Sequence, residues 1–198
     1  MAGMEYLTLK AESQAVFREK MSRFIAFAIP VADADEARAR IAAIANEYHD
    51  ARHVCWAYQC GPAGEVWQLN DNGEPSGTAG RPILGQIRSA GITNVAIAVV
   101  RYFGGIKLGT PGLIAAYREA ARMAIEAGDI VTACVMQPVS FTFPYVAMND
   151  VQRILKSSDA TVTERIFDNT CSMTVSIRAD HADALAARLT GVDGVTLH

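Results

Sequence analysis

The sequence has little cysteine and no long apolar run near its N-terminus. Its 198 residues include only four cysteines, and the chain is 51% hydrophobic and 20% charged. A chain of this size and composition can bury a core without disulfides, so we interpret the cysteines as reduced thiols. Lys10, Glu12 and Arg18 interrupt the first segment, which excludes a readable secretory signal or membrane span. We therefore expect a cytoplasmic protein that does not associate with membranes.

Recognised nucleotide and metal motifs are absent as well. Neither G-x-x-x-x-G-K-[ST] nor G-x-G-x-x-G fits any glycine-rich segment, which argues against ATP or dinucleotide binding and predicts no cofactor. His49, His53, Cys55 and Cys60 have metal-like spacing. In a strand that starts at His53, however, Cys60 points away from His53 and Cys55, and no second pair completes a tetrahedron. We predict no metal site.

The pattern of apolar residues predicts a mixed α/β (α+β) fold. Asp33 and Glu36 have the spacing of a capping box, and Thr110 and Pro111 suit the N-cap and first position of a later helix. The segment 95–100 is a continuous apolar run, typical of a strand buried on both faces. Strands are predicted at 6–10, 24–31, 53–59, 65–69 and 95–100, and helices after Asp33, from Pro82 and over about 113–126.

The last third of the chain follows a βαββα(β) order, which is the pattern of a ferredoxin-like domain. Its strands are predicted at 139–143, 160–167, 171–178 and 192–197, and its helices at 146–157 and 182–189. We therefore expect two domains, 1–135 and 136–198, which are joined at Gln137-Pro138 and fold independently.

Charge is distributed unevenly along the chain. The net charge is −3, but residues 1–74, 75–137 and 138–198 carry −4, +3 and −2. No acidic residue occurs between Pro75 and Arg118. The buried strand at 95–100 could produce such a gap by itself. The same stretch is rich in glycine, however, so we interpret it as a local anion-binding region.

Two glycine-rich loops are the candidate site. Glycines between Gly73 and Gly80 allow positive φ angles, so successive N–H groups could form a concave anion-binding nest. The segment 104–110 places Lys107 at a helix N-terminus, which favours negative charge. Tight packing of the second loop explains its glycines equally well. The predicted anion- or RNA-binding residues are Ser76, Gly77, Thr78, Arg81, Arg101, Tyr102, Gly104, Gly105 and Lys107.

A hydrolase is the alternative interpretation. His53, with Glu74 or Asp71 and with Ser76, has the residue types of a base, an orienting group and a nucleophile. Ser76 does not lie in a G-x-S-x-G nucleophile elbow. A histidine that is partly buried beside a sheet edge accounts for His53 as well.

Four motifs together resemble the IMPACT family, in particular its bacterial YigZ-type members, over essentially the whole chain. They are SRFI at 22–25, ARHVCWA at 51–57, DNGEPSGTAG at 71–80 and VVRYFGGIKLG at 99–109. Asn72 stands where the family usually has an acidic residue, and Pro111 stands where it usually has glycine. The loss of a carboxylate at Asn72 weakens the hydrolase interpretation.

The resemblance implies a fold and a field of action. It implies a first domain like the second domain of ribosomal protein S5, and a tail similar to domains of elongation factor G. Eukaryotic members act in translational control by binding the activator of an initiation-factor kinase. We therefore expect a non-enzymatic regulator or accessory factor of translation that binds RNA or the ribosome. A protein–protein adaptor with a translation-factor partner remains open, as does the oligomeric state.

Overall fold

A computed structural model describes residues 5–198, and the chain divides into two compact units, up to Ala133 and from Cys134 onward. Both units combine helices with antiparallel sheets, so the α+β prediction is confirmed. The first unit contains β1 Glu5–Leu9, β2 Ser13–Glu19, β3 Ser22–Pro30, α1 Ala34–Glu47, β4 His53–Cys60, β5 Val66–Asn70, α2 Gly80–Ser89, β6 Val95–Tyr102, α3 Gly109–Glu126 and β7 Ile130–Cys134. The second contains β8 Met136–Phe143, α4 Met148–Lys156, β9 Thr161–Phe167, β10 Cys171–Arg178, α5 Ala182–Thr190 and β11 Thr196–Leu197.

The first unit is built on a five-stranded sheet of order β2-β3-β6-β4-β5, and β1 pairs with β7 separately. Helices α2 and α3 cover one face of the larger sheet and α1 covers the other. The central strand β6 is buried on both faces from Val95 to Arg101, as predicted for 95–100. The end of β6 positions part of the candidate site, because Arg101 pairs with Phe24 on β3 and with His53 on β4. Directly paired residues point to the same face, so these three side chains form one row.

Local sequence signals predict the start of α1 correctly and the start of α3 incorrectly. The Asp33 side chain accepts a hydrogen bond from the Glu36 N–H at 2.9 Å, as predicted for an N-cap. The Thr110 prediction is wrong, since α3 begins at Gly109, whose φ is +74°, and Thr110 lies within the first turn. Glycine tolerates this left-handed angle, so the chain enters the helix earlier than a Thr-Pro pair suggests.

The second unit has the sheet order β11-β8-β10-β9, and all of its neighbouring strands are antiparallel. Its α4 and α5 helices pack their apolar residues onto one face of this sheet, which gives the ferredoxin-like arrangement expected from the element order. The predicted Gln137-Pro138 linker is wrong, because both residues lie inside β8 and pair with β10. At Pro138 the other side of β8 is not paired with β11, so the missing N–H costs no ladder hydrogen bond. The independence of the two domains stays a prediction.

No helix among residues 5–198 is long and apolar enough to cross a membrane.

Candidate functional site

The first glycine-rich loop forms a nest of N–H groups, but the chain fills this nest itself. The carboxylate of Asp71 accepts hydrogen bonds from the N–H groups of Gly77, Ala79 and Gly80 at 2.9, 3.1 and 2.8 Å. These N–H groups lie at the start of α2, whose N-cap Ala79 offers no side-chain oxygen. The prediction that this loop grips an external anion is therefore wrong, because Asp71 already occupies the donors.

The electrostatics of Asp71 fit this internal role. Burial by itself would raise its pKa, but the three N–H donors and the nearby Arg81 charge outweigh burial and lower the pKa below the ordinary aspartate value. Thr78 is also used internally, since its hydroxyl donates to the Pro75 carbonyl at 2.6 Å. Ser76 and Arg81 remain exposed. The first loop therefore contributes a rigid scaffold and two exposed polar side chains.

Arg101, near the end of β6, forms a buried ion pair with Glu74 in the first glycine-rich loop. Their Nη1 and Oε1 atoms lie 2.5 Å apart, and the side chains are 7% and 4% exposed. The Tyr117 hydroxyl on α3 donates to the same carboxylate oxygen at 2.8 Å. The prediction that Arg101 binds RNA phosphate stays a prediction, but Glu74 neutralises its charge inside the fold, which favours a role in shaping the site.

Cys55 and Tyr117 extend this polar network as neutral groups. The Cys55 thiol donates to the Asp71 carbonyl at 3.0 Å and lies 3.3 Å from the Tyr117 hydroxyl. Burial raises the pKa of Cys55 to about 12 and raises that of Tyr117 further above its ordinary value. Both groups stay protonated at neutral pH. They therefore hold Glu74 and the first loop in place as neutral hydrogen-bonding groups.

His53 faces the ion pair from β4. Its Nδ1 lies 2.7 Å from the Asn72 carbonyl oxygen, so Nδ1 carries the proton and donates. Its Nε2 then points toward Glu74, 4.0 Å from Oε1. Ser76, the third residue of the hydrolase interpretation, is exposed and lies outside the set of residues that lines the pocket containing His53 and Glu74.

The cysteines of the metal interpretation lie on opposite faces of the sheet, as strand alternation predicted. Cys55 packs in the core under α2 and α3, whereas Cys60 packs in the core under α1. Within the part of the chain that the structure describes, no group of three or more His, Cys, Asp or Glu side chains is arranged to hold a metal ion.

The two loops meet at a pocket of about 380 Å³ on the first unit. Its floor contains the Arg101–Glu74 pair and its rim carries Arg52 and Lys107, both exposed. Phe103, which is 46% exposed, lies at 5.6 Å from the Arg101 guanidinium. The pocket is lined by Arg52, His53, Glu74, Pro75, Arg101, Phe103, Lys107, Leu108, Gly109, Thr110 and Leu113.

The N-terminus of α3 opens onto this pocket. Its N-cap, Leu108, makes no side-chain capping bond, and the first turn contains no acidic residue. The first-turn N–H groups therefore lack a side-chain partner, and the helix dipole places partial positive charge beside Lys107. In the second glycine-rich loop, Lys107 lies beside the N-terminus of α3 and lines the pocket.

Three other residues of the predicted binding set do not line the pocket: Tyr102, Gly104 and Gly105. Tyr102 turns to the opposite face of the sheet, where its hydroxyl donates to Asp50 at 2.7 Å and its ring lies 4.7 Å from the Arg23 guanidinium. Tyr102 therefore does not line this pocket, and its role in RNA binding stays a prediction. Gly104 has a packing role, since a Cβ there would lie 2.0 Å from the Met21 carbonyl carbon. Gly105, with φ of +93°, has open space around it.

Sequence reasoning missed the roles of Arg52, Tyr117 and Asp71. The arginine directly precedes His53, and strand alternation alone could not show that it reaches the same pocket. Tyr117 recurs at helical spacing among apolar residues of α3, so it resembles ordinary core. Asp71, eight and nine residues before the N–H groups of Ala79 and Gly80, acts at a distance that local capping rules do not cover.

Fold and site together define a class: a two-unit α+β protein with a basic-rimmed pocket over a buried Arg–Glu pair. The sequence model of the Impact N-terminal domain matches residues 20–125, more than half of the chain. An IMPACT family member from Haemophilus influenzae is 32% identical over 94% of this chain and 91% of its own length. The Escherichia coli IMPACT family member YigZ is 30% identical over 94% of this chain and 93% of its own length.

A solved structure agrees over nearly the whole chain. A crystal structure described as a hypothetical protein superposes with a TM-score of 0.78 and 26% sequence identity, and covers 98% of this chain and 97% of that one. The chain belongs to the IMPACT family, as its four motifs predicted.

Proposed function

We propose that this protein is a translation-associated accessory factor or regulator that binds RNA backbone, on or near the ribosome, at the rim of the first unit's pocket. The observation that carries the proposal is the grouping of exposed Arg52 and Lys107 beside the uncapped N-terminus of α3. Phosphates are bound by such cations and by helix N-terminal N–H groups. The field of action, translation in the cytoplasm, is what membership of the IMPACT family implies.

The rim is available to an anion because the nearby carboxylates already have partners inside the fold. Glu74 is paired with Arg101, and Asp71 is held by three N–H donors. The positive charge of Arg52 and Lys107 is therefore uncompensated at the pocket mouth. Arg81 is exposed at the start of α2 and stays a predicted RNA-binding residue.

The proposal revises the set of binding residues but keeps the chemistry. Lys107, Arg52 and the N–H groups of Gly109 and Thr110 contact phosphates, while Arg101 and the first loop shape the pocket. In this proposal the protein acts by binding, and no step in it requires a nucleophile.

A filter-binding titration with single-stranded RNA at several salt concentrations tests this proposal. Each phosphate contact contributes roughly −0.7 to the slope of log affinity against log salt. We expect Lys107→Ala and Arg52→Ala each to remove about one contact's share of the slope, whatever the RNA sequence. Lys156→Ala, an exposed lysine of α4 in the second unit, is the matched control and should leave the slope unchanged. RNA that fails to bind at low salt, or binds all four proteins alike, contradicts the proposal.

A protein–protein adaptor is the second candidate, and one observation favours it. Three apolar side chains here are exposed: Met21 (78%), Phe103 (46%) and Ile106 (50%). Met21 lies against Gly104, which stands between Phe103 and Ile106 in the sequence. An exposed apolar group of this kind is typical of a protein contact. In that case Ile106→Ser would weaken ribosome association strongly, and Lys107→Ala would leave its salt dependence intact.

A further inference from the structure

The floor of the pocket contains an unsatisfied hydrogen-bond donor. Among residues 5–198, the Arg101 Nε is the buried side-chain nitrogen or oxygen without a hydrogen-bond partner. Its side chain is only 7% exposed and lines the pocket. Buried donors in folded proteins are normally paired, and an unpaired one in a pocket marks a place where a ligand atom can supply the acceptor.

Acceptors lie beside this donor. The His53 Nδ1 lies 2.7 Å from the Asn72 carbonyl oxygen, and its Nε2 faces Glu74, 4.0 Å from Oε1, so the ring edge is a second polar group of the floor. Glu74 adds a carboxylate to the same floor. A floor that offers both a donor and acceptors suits a group that itself carries acceptors and donors on one edge. A phosphodiester or a carboxylate carries only acceptors, so it pairs better with the basic rim than with a floor in which Arg101 is already paired with Glu74.

The walls between floor and rim are apolar. Pro75, Leu108 and Leu113 line them, and Phe103 presents a half-exposed ring at the mouth. The centre of the Arg101 guanidinium lies 5.6 Å from the ring centroid of the buried Phe24 and 5.6 Å from that of the exposed Phe103. A flat ligand that enters along Phe103 therefore meets an aromatic face first and the polar floor afterwards.

We infer that this pocket binds the base of one unpaired nucleotide, whose edge pairs with the floor while its phosphate lies on Arg52, Lys107 and the N-terminus of α3. The volume of about 380 Å³ falls in the range of small-molecule sites. Every nucleobase has donors and acceptors on its edge and a face that stacks on an aromatic ring. The Arg101 Nε has less than 1 Å² of exposed area, so the side chains that cover it must shift for the base edge to reach it, while the half-exposed Phe103 ring stacks on the base.

This inference rests on the proposed function, and binding of two matched RNAs separates the two. The probes are a fluorescein-labelled six-nucleotide RNA and the same backbone with every base removed. We expect the intact RNA to bind roughly 5- to 150-fold more tightly than the abasic one, the usual range for stacking of one base. Phe103→Leu should abolish that difference, and Phe103→Tyr should restore it. Phe167→Leu, an exposed phenylalanine of β9, is the matched control and should change nothing.

The outcomes separate a failure of the base pocket from a failure of RNA backbone binding. If both RNAs bind equally, with a salt slope that Lys107→Ala reduces, the base pocket is overturned while backbone binding stands. Calorimetry with AMP, GMP, CMP and UMP, with inorganic phosphate as the control, covers the converse case. If a mononucleotide binds in a Phe103-dependent way but no RNA binds, the pocket stands and the proposed function fails. If neither nucleotides nor RNA bind, both are overturned.

Discussion

At the scale of single residues, burial decides what each charge does. Arg101 and Lys107 are both basic residues in an acid-free stretch, but Arg101 is 6% exposed and neutralised by Glu74, whereas Lys107 is exposed at a pocket rim. Sequence patterns located the acid-free stretch. They could not separate the two roles, because Glu74 reaches Arg101 through the fold across 27 positions of the chain.

The buried pair predicts a large effect on stability. Glu74→Ala leaves the Arg101 charge buried without a partner, which typically costs about 3–5 kcal/mol. Urea unfolding should show that loss in the free energy of unfolding. Glu119→Ala breaks an ion pair with Arg122 in which both side chains are more than a third exposed, so its loss should stay below about 1 kcal/mol. Equal effects of the two changes would contradict a buried pair.

Asp71 predicts a dependence of stability on pH. Its folded-state pKa is lowered, so its stabilisation is complete above the ordinary aspartate pKa near 4 and is lost as pH falls through the lower, folded value. Asp71→Asn leaves at least the Gly77 N–H without a carboxylate acceptor, which we expect to cost about 1–3 kcal/mol at pH 7. Urea unfolding from pH 7 to pH 3 should show the difference between the two proteins shrinking below pH 4. A difference that grows there would show the opposite sign.

At the scale of elements, strong local patterns were predictable and weak ones were not. The apolar run of β6, the Asp33 cap of α1 and the strands β4 and β5 were all found close to where the sequence placed them. Strands β2 and β7 were missed. The first has only a short alternation around Ala15 and Phe17, and the second, with Ile130 exposed, gains its strand conformation by pairing with β1.

The loop that follows β6 offers a test with two glycines. In Gly104→Ala the new Cβ would lie 2.0 Å from backbone of Met21, so the Phe103–Lys107 segment must shift. We expect a loss of stability above about 1 kcal/mol and weaker RNA binding. Gly85→Ala within α2 meets nothing within 4 Å and should stabilise by about 0.5–1 kcal/mol. Thermal unfolding of both proteins measures this, and similar melting temperatures would contradict the packing role of Gly104.

At the scale of the whole molecule, element order predicted two domains, and the chain does divide into two compact units with separate cores. The junction could not be read from Gln137-Pro138, because a proline is tolerated wherever one side of a strand lacks a ladder partner. The floor of the pocket forms by long-range pairing of β3, β4 and β6, which sequence patterns do not reveal. Sequence reasoning therefore found the two loops but not the floor.

Separate cores predict separate stabilities. Leu185→Ala removes a buried side chain from the core of the second unit and should destabilise that unit by about 2–5 kcal/mol. Native-state hydrogen exchange should then show faster exchange in β8 and β10 and unchanged protection in β6. Uniformly faster exchange across both units would show that they unfold together.

Sedimentation with purified ribosomal subunits tests the central claim, that the rim of the pocket holds RNA, most directly. The native protein should co-sediment with a subunit at low salt and be released as salt rises. The Arg52→Ala/Lys107→Ala double variant should remain near the top of the gradient, and Lys156→Ala should behave like the native protein. Failure of the native protein to co-sediment at low salt, or co-sedimentation of the double variant at native levels, would contradict the claim.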